Sequence, residues 1–160
     1  MSSLIPLLLE TADPRPEHLA KILGKEKEEV ERELEELRQN NTLLGWMPIL
    51  NPEKTDAEKV RAVIEVKISP EREGGFDRMA LRISKFDEVE SCYLMSGGYD
   101  LLVFVSGKTL NSVALFISER LATIEGVLST ATHFLLRPYK ERHHLLAKDG
   151  TTEDKPSVSP

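Results

Sequence analysis

Apolar residues along this chain change their period about a third of the way in. Over the first fifty residues they recur at helical spacing. Leu4, Leu7 and Leu8 share one helical face, and Pro14 and Pro16 then interrupt it, because proline cannot continue a helix. Pro16 suits the first turn of a second helix carrying Leu19, Ala20, Ile22 and Leu23, and Gly24 stands where a C-cap belongs. A third helix is predicted from about Glu26 to Asn40. Its Val30, Leu34 and Leu37 fall at i, i+4 and i+7, a narrow apolar stripe on a charged rod. Asn40 and Asn41 end it, since asparagine tolerates the left-handed cap conformation. Leu43 to Leu50 reads as the two short strands of a wing. Residues 1–50 are therefore expected to form a winged helix-turn-helix, followed by a polar linker at 51–58.

Beyond the linker the period drops to two. Val60, Ala62, Ile64, Val66 and Ile68 alternate with mostly polar neighbours, which predicts a strand. Phe76, Met79, Ala80 and Ile83 return to helical spacing. Val89–Met95 and Tyr99–Val105 predict two strands joined by a tight Ser96-Gly97-Gly98 turn. Leu110, Val113, Ala114, Ile117 and Leu121 predict a second helix, and Gly126 precedes a last strand from Val127 to Leu136. The order β-α-β-β-α-β over residues 59–145 is ferredoxin-like, so the fold class is α+β. Residues 146–160, with their Thr, Ser, Pro, Asp and Lys, are expected to be a disordered tail.

Composition narrows the classes. The chain has 160 residues, is 40% hydrophobic and 30% charged, and has no apolar run long enough to span a membrane. The apolar opening lacks a basic leader and a small-residue cleavage site, so no signal peptide is expected, and the expected location is the cytoplasm. A lone Cys92 inside an apolar segment reads as a buried, inert thiol. His143 and His144 lack a spaced third ligand and His133 sits on a strand, so no metal site and no cofactor are expected. The net charge of −6 is unevenly spread. Between Lys25 and Arg38 there are four basic and seven acidic residues, an unusual balance for a helix meant to approach phosphates.

Three stretches carry a resemblance to a known family. They are Ser96-Gly97-Gly98-Tyr99-Asp100-Leu101-Leu102-Val103, Gly126-Val127 through Thr130 and Thr132, and Leu44-Gly45-Trp46 through Leu50-Asn51-Pro52. With Leu19-Ala20 and Leu23-Gly24 they resemble the Lrp/AsnC (feast/famine) transcription regulators over about residues 4–140. The resemblance implies double-stranded DNA as a partner, an amino acid or related small effector, and homodimers that can build octamers or larger rings. Glu26, Glu33 and Asn41 depart from it, standing where the family usually has Ser, Arg and Gly.

Within that frame Lys25, Lys27, Arg32 and Arg38 are the expected DNA contacts. The competing reading is a solvated helix laced by pairs such as Glu28 with Arg32. An amino-acid effector needs an anion for its ammonium and free N–H groups for its carboxylate. Gly97, Gly98, Tyr99 and Asp100 could offer both, with hydroxyls from Thr130 and Thr132 closing the pocket from an adjoining strand, across a subunit boundary. The competing reading is that Gly-Gly merely makes a turn. Two other classes stay open: an Lrp-like oligomer that senses a ligand without binding DNA, and an enzyme like the sirohaem decarboxylases, for which no matching motif is found.

Overall fold

In the computed structural model, residues 4–11, 13–51, 54–55, 59–69 and 75–146 are described. The chain divides into two units, Met1–Pro48 and Ile49–Pro160. The first holds α1 (Leu4–Glu10), α2 (Pro16–Leu23) and α3 (Lys27–Gln39). The residues selected by helical period, Leu4, Leu19, Ala20, Val30, Leu34 and Leu37, meet in one core. Asp13 sets the start of α2: its carboxylate accepts from the Arg15 backbone N–H at 3.1 Å and from the Arg15 side chain. The guanidinium holds that carboxyl down at about 2. Gly24 ends α2 at φ 65°, a left-handed conformation that costs glycine nothing. Asn41 takes the same conformation after α3, at φ 60°.

The expected wing is not there. Leu43–Leu50 forms no strand. Leu43 instead donates its N–H to the Leu37 carbonyl at 2.8 Å and packs on the helical core, so the chain is spent closing α3. Gly45 and Pro48 then interrupt what remains, and proline in particular removes a ladder donor.

The second unit has a four-stranded antiparallel sheet in the order β2-β3-β1-β4, formed by β1 (Val60–Ile68), β2 (Val89–Leu94), β3 (Leu101–Gly107) and β4 (Val127–Phe134). This is the ferredoxin-like arrangement. β1 lies in the middle, and its alternation works as expected: Ala62, Ile64, Val66 and Ile68 are buried with Leu101, Val103 and Val105 of β3. α4 (Asp77–Ile83) and α5 (Leu110–Leu115) supply Met79, Ile83 and Val113 to that core. A reciprocal Thr109–Ser112 capping box starts α5. The helix continues as a π-helical segment, Phe116–Leu121. Val113, Ile117 and Leu121 stay buried along this run.

β4 stops at Phe134, two residues before the expected end, although Leu135 still donates its N–H to the Arg61 carbonyl of β1 at 2.9 Å. A two-residue-per-strand hairpin follows, β5 (Lys140–Glu141) and β6 (His144–Leu145). Leu146, expected in the tail, is buried and donates to the Tyr139 carbonyl at 3.0 Å. The rest of the expected tail, and most of the 51–58 linker, lie outside the described residues.

Gly126 leads into β4 at φ 94°, and a Cβ there would come within 2.7 Å of Met79 Cε. Met79 can move, but the backbone conformation cannot be made comfortable for alanine. Gly126→Ala should therefore cost about 1–2 kcal/mol, read as a lower denaturant midpoint with an unchanged slope.

Candidate functional site

α2 and α3 are joined by Gly24-Lys25-Glu26, the three-residue, glycine-containing connection of a helix-turn-helix. Counting 100° per residue, Arg32 stands opposite the buried stripe Val30-Leu34-Leu37, on the outward face of α3. Glu28, Glu35 and Glu36 flank it. Arg32 makes no hydrogen bond or ion pair among the described residues, so the Glu28–Arg32 pair of the competing solvated-helix reading does not form there.

The other three basic residues are occupied. Lys25 Nζ is bonded to Glu33 and lies 2.9 Å from Glu29, and those carboxylates raise its pKa. Lys27 bridges to Glu17 at 2.8 Å and Glu31 at 3.4 Å, and Glu17 chiefly raises its pKa. Arg38 lies 3.6 Å from Glu35 and lines an open groove with Leu34 and Trp46. These pairs tie the flanks of α3 to itself and to α2. They also neutralise most of the positive charge that the helix could present.

In the second unit Ser96–Asp100 forms the β2–β3 turn. Gly97 has φ 147°, a conformation that favours glycine. Gly98 has no such need, and a Cβ on it would meet nothing within 4 Å. Asp100 is bound to the end of β1 on two sides. Its N–H donates to the Val66 carbonyl at 3.0 Å, and its Oδ2 accepts from the Ile68 N–H at 2.8 Å. Part of its carboxylate thus serves the fold, a role invisible in the sequence because Ile68 is 32 residues away.

Thr130 and Thr132 are not brought to that turn within one chain. They pair with Val66 and Ile64 of β1 and so lie half-buried on the helix-covered face. β1 intervenes between them and β3, a separation of about 10 Å. The adjoining strand of the hairpin is β1, and Val127, paired with Ile68, is the β4 residue nearest its level.

Among the described residues of this unit, neither α4 nor α5 covers the opposite sheet face. Val63, Leu102, Phe104 and Tyr93 occupy it across three strands, with Tyr93 and Phe104 edge-to-face at 6.1 Å. His133 Nε2 lies 3.3 Å from Glu65, and Arg61 Nε lies 3.1 Å from Glu90 on the same face. His133 is thus a sheet-face residue beside a carboxylate. Cys92 is half-buried beneath the helices, and burial pushes its thiol pKa up, away from reactivity. Sequence reasoning also missed Arg120. It pairs with Glu88 at 2.6 Å and lies over the Phe86 ring at 4.6 Å, fixing the π-helical segment to the start of β2.

A helix-turn-helix joined to a ferredoxin-like sheet defines a class of protein, the transcription regulators that carry a separate α+β domain. Residues 61–145 match the Lrp/AsnC ligand binding domain. The chain is 39% identical over 140 residues to the HTH-type transcriptional regulator YugG of Bacillus subtilis, covering 87% of this chain and 84% of that one. It is 23% identical to the leucine-responsive regulatory protein of Escherichia coli K12, covering 70% and 68%. Its fold matches the Neisseria meningitidis transcriptional regulator solved as an L-Met complex, with a TM-score of 0.61, 23% identity and coverage of 84% and 86%. The chain belongs to the Lrp/AsnC family of transcription regulators, and the regulator class replaces the enzyme alternative. Among the described residues no helix is long and apolar enough to cross a membrane.

The ion pairs separate the four basic residues in their expected effect on DNA. Arg32→Ala should flatten the salt dependence of binding, by close to one unit of slope for each phosphate that is no longer neutralised. Lys27→Ala should change it less, because Glu17 and Glu31 already hold that ammonium. Equal slopes for Arg32→Ala and wild type would remove Arg32 from the interface.

Proposed function

We propose that the chain regulates transcription in the cytoplasm as a DNA-bound homo-oligomer whose state responds to an amino acid. Double-stranded DNA meets the helix-turn-helix, with Arg32 as the leading contact and Lys25, Lys27 and Arg38 in supporting roles. The effector meets the 96–100 turn. Its ammonium faces the Asp100 oxygen left over from the Ile68 bond, its carboxylate faces the amides of Gly97 and Gly98, and Tyr99 lies beside it. A second copy covers the open sheet face, and larger assemblies bring Thr130 and Thr132 of another chain within reach.

The observation that carries the effector reading is Gly98. Nothing among the described residues requires a glycine there: its φ is ordinary and none of their atoms lies within 4 Å of its missing Cβ. A bare backbone at that point suits a close approach from outside the chain. The L-methionine carried by the Neisseria meningitidis regulator supports an amino acid as the visitor. A ligand of this kind shifts assembly or DNA affinity only through its different affinity for two states.

Selection of genomic fragments by the purified protein, with and without mixed amino acids, tests the whole reading. Fragment enrichment that changes with amino acids is expected, and enrichment of nothing in either condition contradicts it. Calorimetry against the twenty amino acids tests the pocket. Asp100→Asn keeps an acceptor for the Ile68 N–H and removes the charge. The expected outcome is loss of at least tenfold in affinity, about 1.4 kcal/mol, with the fold intact. Equal binding by both forms would return the Gly-Gly turn to a turn and nothing more.

A further inference from the structure

We propose that the β5–β6 hairpin is a second contact for the phosphate backbone of DNA, separate from the helix-turn-helix. The inference rests on the reading of the chain as a DNA-binding regulator. It starts from a shortage on the third helix: of the four basic residues from Lys25 to Arg38, three are paired with carboxylates, and the fourth is flanked by Glu28, Glu35 and Glu36. Non-specific affinity for a duplex comes from phosphate neutralisation. α3 and the connection before it supply little of it.

The hairpin runs the other way. Residues 137–144 carry Arg137, Lys140 and Arg142 against the single carboxylate of Glu141, in a chain whose net charge is −6. Lys140 and Arg142 are exposed, and Lys140 makes no ion pair among the described residues. Arg142 is held only at 4.0 Å from Glu141, with its side chain 75% exposed.

The turn conformation makes the second argument. Arg142 and His143 are the two residues between β5 and β6, with φ values of 45° and 72°. A two-residue turn with both residues left-handed is normally built from Asn-Gly, because other side chains are strained there. Arg-His is a poor choice for making the turn and a good one for presenting cations at its tip. Strain kept at an exposed tip points to a use outside the fold. The base is fixed: Leu146 is buried, its N–H donates to Tyr139, and its carbonyl accepts from Asn51 Nδ2 at 3.3 Å. The cations are therefore carried on an anchored element, which lowers the ordering cost of a contact.

The test uses the full-length chain, a duplex several helical turns long and a salt series. Arg142→Asn with His143→Gly removes the charge and installs the preferred turn residues. It should weaken binding severalfold and flatten the slope of log K against log salt by about 0.9 for each phosphate the hairpin had neutralised. The thermal midpoint should hold or rise. Lys140→Gln, which leaves the turn alone, should act in the same direction and decides the matter if the double variant unfolds. Unchanged slopes in both variants overturn the proposal. So does a shift in sedimentation with an unchanged slope, which would assign the hairpin to an acidic protein surface. Arg32→Ala in parallel separates the readings: an effect there without one at the hairpin leaves the helix-turn-helix standing alone, and the reverse leaves only the hairpin. Wild-type protein that binds no duplex sinks both.

Discussion

Two helices can cover one face of a four-stranded sheet. In the second unit they cover the face formed by alternate residues of β1 and β3, where Ala62, Ile64, Val66, Leu101, Val103 and Val105 are almost wholly buried. The period of two along β1 then obliges Val63 and Glu65 to point the other way, next to Leu102, Phe104 and Tyr93. An apolar patch with an edge-to-face aromatic pair at its centre is a surface suited to a partner. The proposed assembly follows from this one-sidedness. So does the position of the 96–100 turn, which Asp100 ties to the end of β1 at the sheet's margin, where another chain can reach it.

Charge is the second constraint. Ion pairs along α3, and one between α2 and α3, brace the helix-turn-helix, and exposed pairs of this kind contribute little to stability. Their larger consequence is electrostatic. They consume the cations that a groove-reading helix usually offers, leaving Arg32 among carboxylates. A protein built this way gains little from a single encounter with DNA. Several modest contacts acting together restore the affinity, and an assembly carrying exposed cations elsewhere supplies such contacts.

Much of this was legible in the sequence wherever a period was long. β1, α3 and the existence of the β2–β3 hairpin follow from spacing alone, although β3 runs from Leu101 to Gly107 and not from Tyr99 to Val105, and the Gly24 and Asn41 caps follow from residues that tolerate positive φ. The wing failed because eight residues containing Gly45 and Pro48 imitate strand composition, while Leu43 is drawn back to Leu37. The π-helical segment was invisible because α and π windings share the same apolar letters over six residues. The candidate site was half readable. Gly97, Gly98 and Asp100 are neighbours in the chain and stay neighbours in space, whereas Thr130 and Thr132 depend on strand order. β1 inserts between β3 and β4, and sequence order alone does not reveal that separation. In the sequence the basic hairpin is composition alone, since its meaning lies in the φ angles of Arg142 and His143.

Assembly, effector access and cooperative DNA binding, as proposed, all depend on the open sheet face. Sedimentation velocity of the full-length chain at micromolar concentration tests it directly. A dimer or a multiple of it is expected, reduced to monomer by Phe104→Asp at the centre of the face. A stable wild-type monomer would contradict this dependence, and so would an oligomer that Phe104→Asp leaves unchanged.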